Sequence, residues 1–294
     1  MKGIVLAAGA GTRLYPASQP VSKILLPIYD KPMIYYPLST LMLAGIRDIL
    51  IITNDSDYDN FKKLLGDGSQ FGINLSYKIQ YVQRGIADAF IIGEDFIDGD
   101  SAALVLGDNI FHGYDFSYIM KSAIEENAGA TVFGCPVKDP ERFGVVEFDK
   151  NNRVLSLEEK PKNPRSNYAV TGLYFYDNNV CKYAKQLEPS ARGELEITDL
   201  NRIYLSKNTL NVKILGRGFT WLDTGTHDSM LQAGNFVYAM ELNKSVKISC
   251  LEEIAYEQGY ISAGDLLKKI EKYGKNSYYD YVRNILLQDM AAVK

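Results

Sequence analysis

Short runs rich in Ile and Val recur at Gly3–Ala8, Asp48–Thr53, Leu75–Gln80, Ala102–Leu106 and Ala130–Val137, with stretches of helical spacing between them. That rhythm is the signature of βαβ units. The early runs are apolar on both faces, so they predict a mostly parallel sheet covered by helices on both sides. Between the first two runs, Leu38, Leu41, Met42 and Gly45 fall at helical spacing in Tyr36–Ile46, with Pro37 tolerated in the first turn. From about Gly144 the pattern changes to alternation at Val145–Phe148, Val154–Glu158 and Gly172–Tyr176, with turns at Asp149–Asn152 and Pro161–Pro164. These read as sheet added at the edge. Beyond about Met240 the chain turns amphipathic and helical, with Leu266, Leu267 and Ile270 on one face of Ala263–Lys272 and a second helix over Tyr278–Leu287. The expectation is an α/β chain with one continuous core over residues 1–240 and a helical appendage over 241–294.

Composition removes several classes of function. Lys plus Arg number 32 and Asp plus Glu 36, a net charge of −4 with no basic block, so nucleic acid is not an expected partner. No apolar stretch approaches the roughly 20 residues that cross a bilayer, and Gly3–Ala8 follows Lys2 directly, without the pattern of a cleavable leader. The expected location is the cytoplasm, with no membrane partner. Cys135, Cys181 and Cys250 are odd in number and widely spaced, which predicts free thiols. With His112 and His227 the only histidines, a multi-histidine metal centre is excluded, and any metal must take oxygen ligands.

Five segments carry candidate chemistry. Gly9-Ala10-Gly11-Thr12-Arg13 follows the first strand, where backbone N–H groups can cradle phosphate oxygens, and Lys23 adds a second cation. A dinucleotide fingerprint would place Gly at Leu14, and a Walker A loop would need Gly-Lys-Ser/Thr, so neither fits. A tight turn that uses its glycines only for geometry is the plainer reading, which the adjacent Arg13 weakens. Leu104-Val105-Leu106-Gly107-Asp108-Asn109 ends an apolar strand in a carboxylate, at the sheet edge where α/β ligands bind. Trp221-Leu222-Asp223-Thr224-Gly225 offers another, and two carboxylates plus substrate phosphates suit Mg²⁺. In Leu157-Glu158-Glu159-Lys160-Pro161, strand alternation puts Glu158 and Lys160 on one face and Glu159 on the other. Arg192-Gly193-Glu194-Leu195-Glu196-Ile197-Thr198-Asp199 is either a second ligand loop or a helix start with acids in its first turn.

In this order, joined by Tyr29-Asp30-Lys31-Pro32-Met33-Ile34-Tyr35-Tyr36-Pro37-Leu38, by the run Asp139 to Phe148 and by Tyr168 to Asp177, the segments resemble the sugar-1-phosphate nucleotidyltransferases. They are most similar to the glucose-1-phosphate thymidylyltransferases. The resemblance covers nearly the whole chain and implies a Rossmann-like, mostly parallel mixed sheet flanked by helices, with added antiparallel strands. It implies transfer of a thymidylyl group from dTTP to glucose 1-phosphate, giving dTDP-glucose and pyrophosphate on the route to dTDP-rhamnose. Leu6, Gly9, Gly11, Thr12 and Arg13 would hold the nucleotide phosphates, and Gln80 and Gly85 would read the base. Lys23 would offset charge on the departing pyrophosphate, while Asp108 and Asp223 would hold Mg²⁺. Lys160 and Arg192 would grip the sugar phosphate, with Gly144, Glu159, Val170 and Glu194 around the sugar.

The resemblance further implies a homotetramer and a regulatory dTDP-sugar site between subunits, at Gly113, Arg217, Glu253, Ile254 and Glu257. Three positions depart from the family pattern. Ala8 stands where the family usually has Gly, and the base-reading stretch Gln80 to Asp88 replaces the commoner Gln-Pro-Ser-Pro-Asp-Gly-Leu-Ala-Gln. Glu257 stands where relatives often carry Arg. A UTP-using enzyme and a non-catalytic paralogue are the rival readings; retention of Arg13, Lys23, Asp108, Lys160 and Asp223 argues against the second.

Overall fold

The computed structural model describes residues 1–244 and 246–292. β1 (Lys2–Leu6) leads through the glycine-rich loop to a two-stranded ribbon, β2 (Pro27–Ile28) and β3 (Lys31–Pro32), and then α1 (Tyr35–Leu43). There follow β4 (Asp48–Thr53), α2 (Tyr58–Leu65), β5 (Asn74–Ile79), the short α3 (Asp88–Ile92) and α4 (Glu94–Ile97), and β6 (Ala102–Leu106). Next come β7 (Asn109–His112), α5 (Phe116–Glu125), β8 (Ala130–Pro136), β9 (Gly144–Phe148), β10 (Val154–Glu159) and the long β11 (Tyr168–Tyr176). The remainder is α6 (Val180–Ala184), α7 (Ile197–Ser206), β12 (Leu210–Ile214), β13 (Thr220–Asp223) and the helices α8 (His227–Lys244), α9 (Leu251–Glu257), α10 (Ala263–Ile270) and α11 (Ser277–Ala292).

Nine strands form one mixed sheet in which β1 lies between β4 and β6, parallel to both, and β5 extends β4 in parallel. Successive residues of a strand face opposite ways, which divides the core into two layers. Val5, Ile49, Ile51, Ala103, Val105, Leu173 and Phe175 face the layer covered by α1. Ile4, Leu50, Ile52, Leu104, Tyr174 and Tyr176 face the layer covered by α3, α6 and α7. Both faces of β1, β4 and β6 are therefore buried, as their unbroken apolar runs predict, whereas β5, at the sheet edge, stays partly exposed.

β11 differs from the expectation of edge sheet. Residues Leu173–Tyr176 pair antiparallel with β6 while the same strand pairs with β8, so it sits inside the sheet. Its first half passes on to β9 at Ala169, and the register against β8 shifts between Val170 and Tyr174. The edge hairpin is β9–β10 alone. β7 pairs antiparallel with β13, joining Asn109 to Asp223 across 114 residues of sequence.

The expected boundary near residue 240 falls inside α8. The appendage is also not separate from the core, because Leu251, Ile254 and Ala255 of α9 pack in the layer of α1. The apolar face of Leu266 and Ile270 is covered within the chain: both are buried with Cys250, Val282 and Leu286 between α9, α10 and α11. The three cysteines are free, with Cys135 and Cys250 buried and Cys181 half-buried. Leu266→Ala is expected to destabilise the protein by about 2–5 kcal/mol, the usual cost of such a core truncation, with no change in sedimentation behaviour. Denaturant unfolding and analytical ultracentrifugation check both parts.

Candidate active site

Parallel pairing sets the site. β1 and β6 end side by side, and the Gly107 N–H donates to the Leu6 carbonyl at 2.9 Å, so the glycine-rich loop and Asp108 leave the same edge of the sheet. Gly11 has φ 64°, a left-handed conformation that favours glycine, and its carbonyl accepts from the Ser18 hydroxyl at 2.7 Å. The loop turns back so that Lys23, buried beneath it, ion-pairs with Asp108.

Asn109 is the hub of the other half. Its Oδ1 accepts from the Gly172 N–H at 3.0 Å and from the Trp221 indole at 2.6 Å, and its Nδ2 donates to Asp108 Oδ1 at 3.0 Å. A Cβ at Gly172 would lie 2.6 Å from Asn109 Oδ1, so only glycine fits there. The Thr224 N–H and hydroxyl both donate to the Asp108 carbonyl, at 3.0 and 2.8 Å, fixing the turn that carries Asp223. Arg13 lies against this turn, 2.8 Å from where a Cβ at Gly225 would stand.

The two carboxylates feel each other. Burial alone would raise Asp108, but the Lys23 ammonium outweighs it and holds that carboxyl below the usual range. Asp223 is pushed up by burial and by the Asp108 charge, against the opposing pull of Lys23, Arg13 and Arg142. Among the described residues no group of three or more Asp, Glu, His or Cys side chains is arranged to hold a metal ion by itself. Two mutually repelling oxygen ligands fit a hard divalent cation that takes its other ligands from phosphates.

A cleft of about 410 Å³ joins Arg13, Asp108, Asn109 and Asp223 to Gly144, Glu159, Lys160, Val170, Arg192 and Glu194. The strand alternation expected for Glu158 to Lys160 stops short. β10 ends at Glu159, and Lys160 takes a left-handed φ of 43°, so Glu159 and Lys160 both line the cleft. Glu158 instead pairs with Arg165 at 3.3 Å. Glu159 accepts from the Thr198 hydroxyl at 2.6 Å and lies 3.6 Å from the Lys160 ammonium. The segment Arg192 to Glu196 is a loop feeding α7, and the Arg192 guanidinium is held by Glu196 at 2.9 Å and by Glu194 at 3.4 Å.

Gln80 and Gly85 stand in the loop from β5 to α3, and neither lines this cleft. Gln80 is buried and donates through Nε2 to Asp88 Oδ2 at 3.0 Å, while Arg84 ion-pairs with the other Asp88 oxygen at 2.7 Å. Gly85 has φ 98°, and a Cβ there would lie 2.5 Å from the Leu195 carbonyl oxygen. The Leu195 N–H donates to the Arg84 carbonyl at 2.6 Å, so this loop and the Arg192 loop are joined by backbone. Sequence reasoning assigned no role to Asn109, Arg142, Thr198 or Trp221, which also line the cleft. All four belong to recognised segments, so a signal for them was present; what the segments do not show is that Asn109 and Trp221 meet.

The expected regulatory residues are spread over several elements. Gly113 packs against the Phe219 ring, where a Cβ would come within 2.2 Å, and Arg217 is exposed on the neighbouring loop. Ile254 is buried, and Glu257 is exposed at its tip on α9, its carboxyl pushed up by the partial desolvation of its inner side and by the Asp289 charge. Glu253 accepts from the Tyr281 hydroxyl at 2.7 Å, and burial, reinforced by Glu257 and Glu241, pushes it from the ordinary 4.5 up to about 7. A carboxyl raised on folding favours the native state while protonated, and that contribution is lost as pH rises from 4.5 through 7. Glu253→Gln should therefore raise stability by about 1–3 kcal/mol at pH 8, and the gain should vanish near pH 4.5. Thermal melts across that range check it.

Comparison with known proteins identifies the family. A family model described as nucleotidyl transferase matches residues 2–239. A glucose-1-phosphate thymidylyltransferase of Neisseria meningitidis serogroup A is 59% identical over 97% of this chain and 99% of its own length. One from Mycolicibacterium smegmatis is 51% identical with the same coverage. A Bacillus anthracis crystal structure described as a glucose-1-phosphate thymidylyltransferase in complex with a sucrose superposes with a TM-score of 0.74 and 43% identity, covering 80% of this chain and 94% of that one. With its loops, paired carboxylates and cleft on this scaffold, the chain belongs to the nucleotidyl transferase family and, within it, to the glucose-1-phosphate thymidylyltransferases.

Proposed function

We infer that the chain transfers a thymidylyl group from dTTP to glucose 1-phosphate, releasing pyrophosphate and forming dTDP-glucose, the first step toward dTDP-rhamnose and related deoxysugars. The observation that carries this reading is the cleft itself. It brings Arg13 and the paired Asp108 and Asp223 into one cleft with Lys160, Arg192 and the polar side chains of Glu159, Glu194 and Asn201.

In this reading, the backbone of Gly9, Gly11 and Thr12, with Leu6 below them, holds the triphosphate together with Arg13. Gln80 faces the base edge: because acceptor-only Asp88 takes one of its N–H donors, its amide orientation is set and Oε1 is left to accept from a pyrimidine N3–H. Gly85 lets the loop approach the base. Lys160 and Arg192 hold the sugar phosphate, and Glu159, Glu194, Gly144 and Val170 border the sugar. A sugar phosphate oxygen attacks the α-phosphorus in line, and the bond to the β,γ-pyrophosphate breaks. The nucleophile is largely dianionic at neutral pH, since the second pKa of a phosphate monoester is about 6, so no general base is required. Neither histidine lines the cleft: His112 meets the Phe236 ring edge-to-face, and His227 lies 3.3 Å from the Tyr15 carbonyl. Lys23 offsets charge on the departing pyrophosphate. Asp108 and Asp223 would hold Mg²⁺, which when bound offsets charge on the α-phosphate.

The protein works as a cytoplasmic homotetramer, and no helix among the described residues is long and apolar enough to cross a membrane. Feedback by dTDP-rhamnose at the Gly113, Arg217, Glu253, Ile254 and Glu257 region is weaker than in Arg-bearing relatives, because Glu257 and the nearby Asp289 set negative charge there.

Pyrophosphate release from dTTP, UTP, ATP and GTP with a panel of sugar phosphates should favour dTTP first and UTP second, with glucose 1-phosphate as acceptor. A purine preference would remove Gln80 from the base. Asp108→Asn should cut turnover at least about a hundredfold, the scale of losing one strong electrostatic stabiliser, with the fold retained by circular dichroism. Arg13→Ala should raise KM chiefly for dTTP and Lys160→Ala chiefly for glucose 1-phosphate; identical defects toward both substrates would show that the two cations do not divide the work.

A further inference from the structure

A second cavity, of about 430 Å³, shares no residue with the catalytic cleft. It opens between α2, the turn at Ser69–Phe71 and the C-terminal helices α10 and α11. Its deep part is made by Tyr35, Phe71 and Glu252, which are 8%, 3% and 3% exposed. Tyr273 and Tyr279 stack on each other beside them, with ring centroids 4.4 Å apart and planes 5° from parallel, so an aromatic wall of two stacked rings borders the cavity.

The mouth is basic. Lys63 of α2, Lys268 and Lys269 of α10, and Lys272 after it all border the cavity. Lys269 donates to the Ser69 carbonyl at 2.6 Å and the Lys272 ammonium lies 4.8 Å from the centre of the Tyr273 ring. Among the described residues none of the four ammonium groups is within ion-pair distance of a carboxylate. In a chain of net charge −4, four unpaired lysines around one opening form a local attraction for an anion.

The floor also offers a free phenol. Tyr35 lines the cavity together with Glu252, and its hydroxyl, which opens to the cavity, has no hydrogen-bond partner among the described residues. Glu252 accepts from the Tyr278 hydroxyl through Oε2 at 2.7 Å, which leaves polar capacity beside Tyr35. A free inorganic anion would satisfy the lysines and leave the aromatic wall and the phenol unused. A flat heterocycle with a polar edge and a phosphate uses all three.

We propose that this cavity binds a nucleoside phosphate, its base against the Tyr273–Tyr279 wall, the base edge at Tyr35 and Glu252, and its phosphate at Lys63, Lys268, Lys269 and Lys272. The site is independent of the catalytic assignment, since it shares no residue with the cleft. Stacking of a base on an aromatic ring and a charge-assisted phosphate contact are the two contributions that set its affinity.

Isothermal titration of the full chain with AMP, GMP, UMP and CMP, alongside adenosine and inorganic phosphate, tests it. At least one nucleotide should bind at least tenfold more tightly than its nucleoside or inorganic phosphate. Lys268→Ala combined with Lys272→Ala should weaken that binding about tenfold or more, Tyr35→Phe should weaken it severalfold, and Arg13→Ala in the catalytic cleft should leave it unchanged. The lysine variants lie on the surface, so their folding is not at stake. Binding by none of the four nucleotides, equal binding of inorganic phosphate, or a nucleotide affinity insensitive to the lysine pair but lost in Arg13→Ala would each overturn the proposal.

Discussion

The parallel pairing of β1 with β6 is the constraint on which the site depends. Parallel neighbours end on the same edge, so the loop after Leu6 and the turn at Gly107–Asp108 emerge side by side, with the Gly107 N–H bonded to the Leu6 carbonyl. Lys23 can then reach from one to the other and meet Asp108. An antiparallel arrangement of the same strands would send these groups to opposite ends of the sheet. The apolar residues that bury both faces of β1 and β6 therefore also determine where the charges gather.

The second constraint is the hydrogen-bonding of Asn109. One side chain ties β11 at Gly172, β13 at Trp221 and the carboxylate of Asp108 into a single arrangement. Around it the site is electrostatically expensive: Asp223 is raised by burial and by Asp108, while Lys23, Arg13 and Arg142 offset part of that cost. Groups held in such a state are ready for a polyphosphate and its cation, because a cation between the two carboxylates offsets their mutual repulsion. Catalysis by positioning and charge offset also explains how a chain with two histidines, neither at the cleft, performs its chemistry.

The loops proposed for the base and for the sugar phosphate are coupled through backbone. The Leu195 N–H bonds the Arg84 carbonyl, and the Ala87 N–H bonds the Leu195 carbonyl, so the loop carrying Gln80 and Gly85 leans on the loop carrying Arg192 and Glu194. Asp88, 1% exposed, anchors that arrangement by taking Gln80 and Arg84 together. This chain differs from the commoner loop sequence at both Arg84 and Asp88, and the ion pair between them keeps the loop closed by its own means.

By itself the sequence determined the alternation of buried strands and helices, the glycine-rich loop, the strand-ending carboxylate Asp108 and the ordered motifs that mark the family, because each is written in local spacing or residue type. Tertiary structure alone decided that β11 is internal, since strand order depends on partners distant in sequence. It placed Lys160 in the cleft through a left-handed backbone turn where strand alternation sends it to the other face. It turned Leu266 and Ile270 inward, because an apolar helix face specifies burial and leaves the partner open. It also made Asn109 and Trp221 part of the site. Their hydrogen bond joins residues 112 positions apart, a distance over which no sequence period carries information.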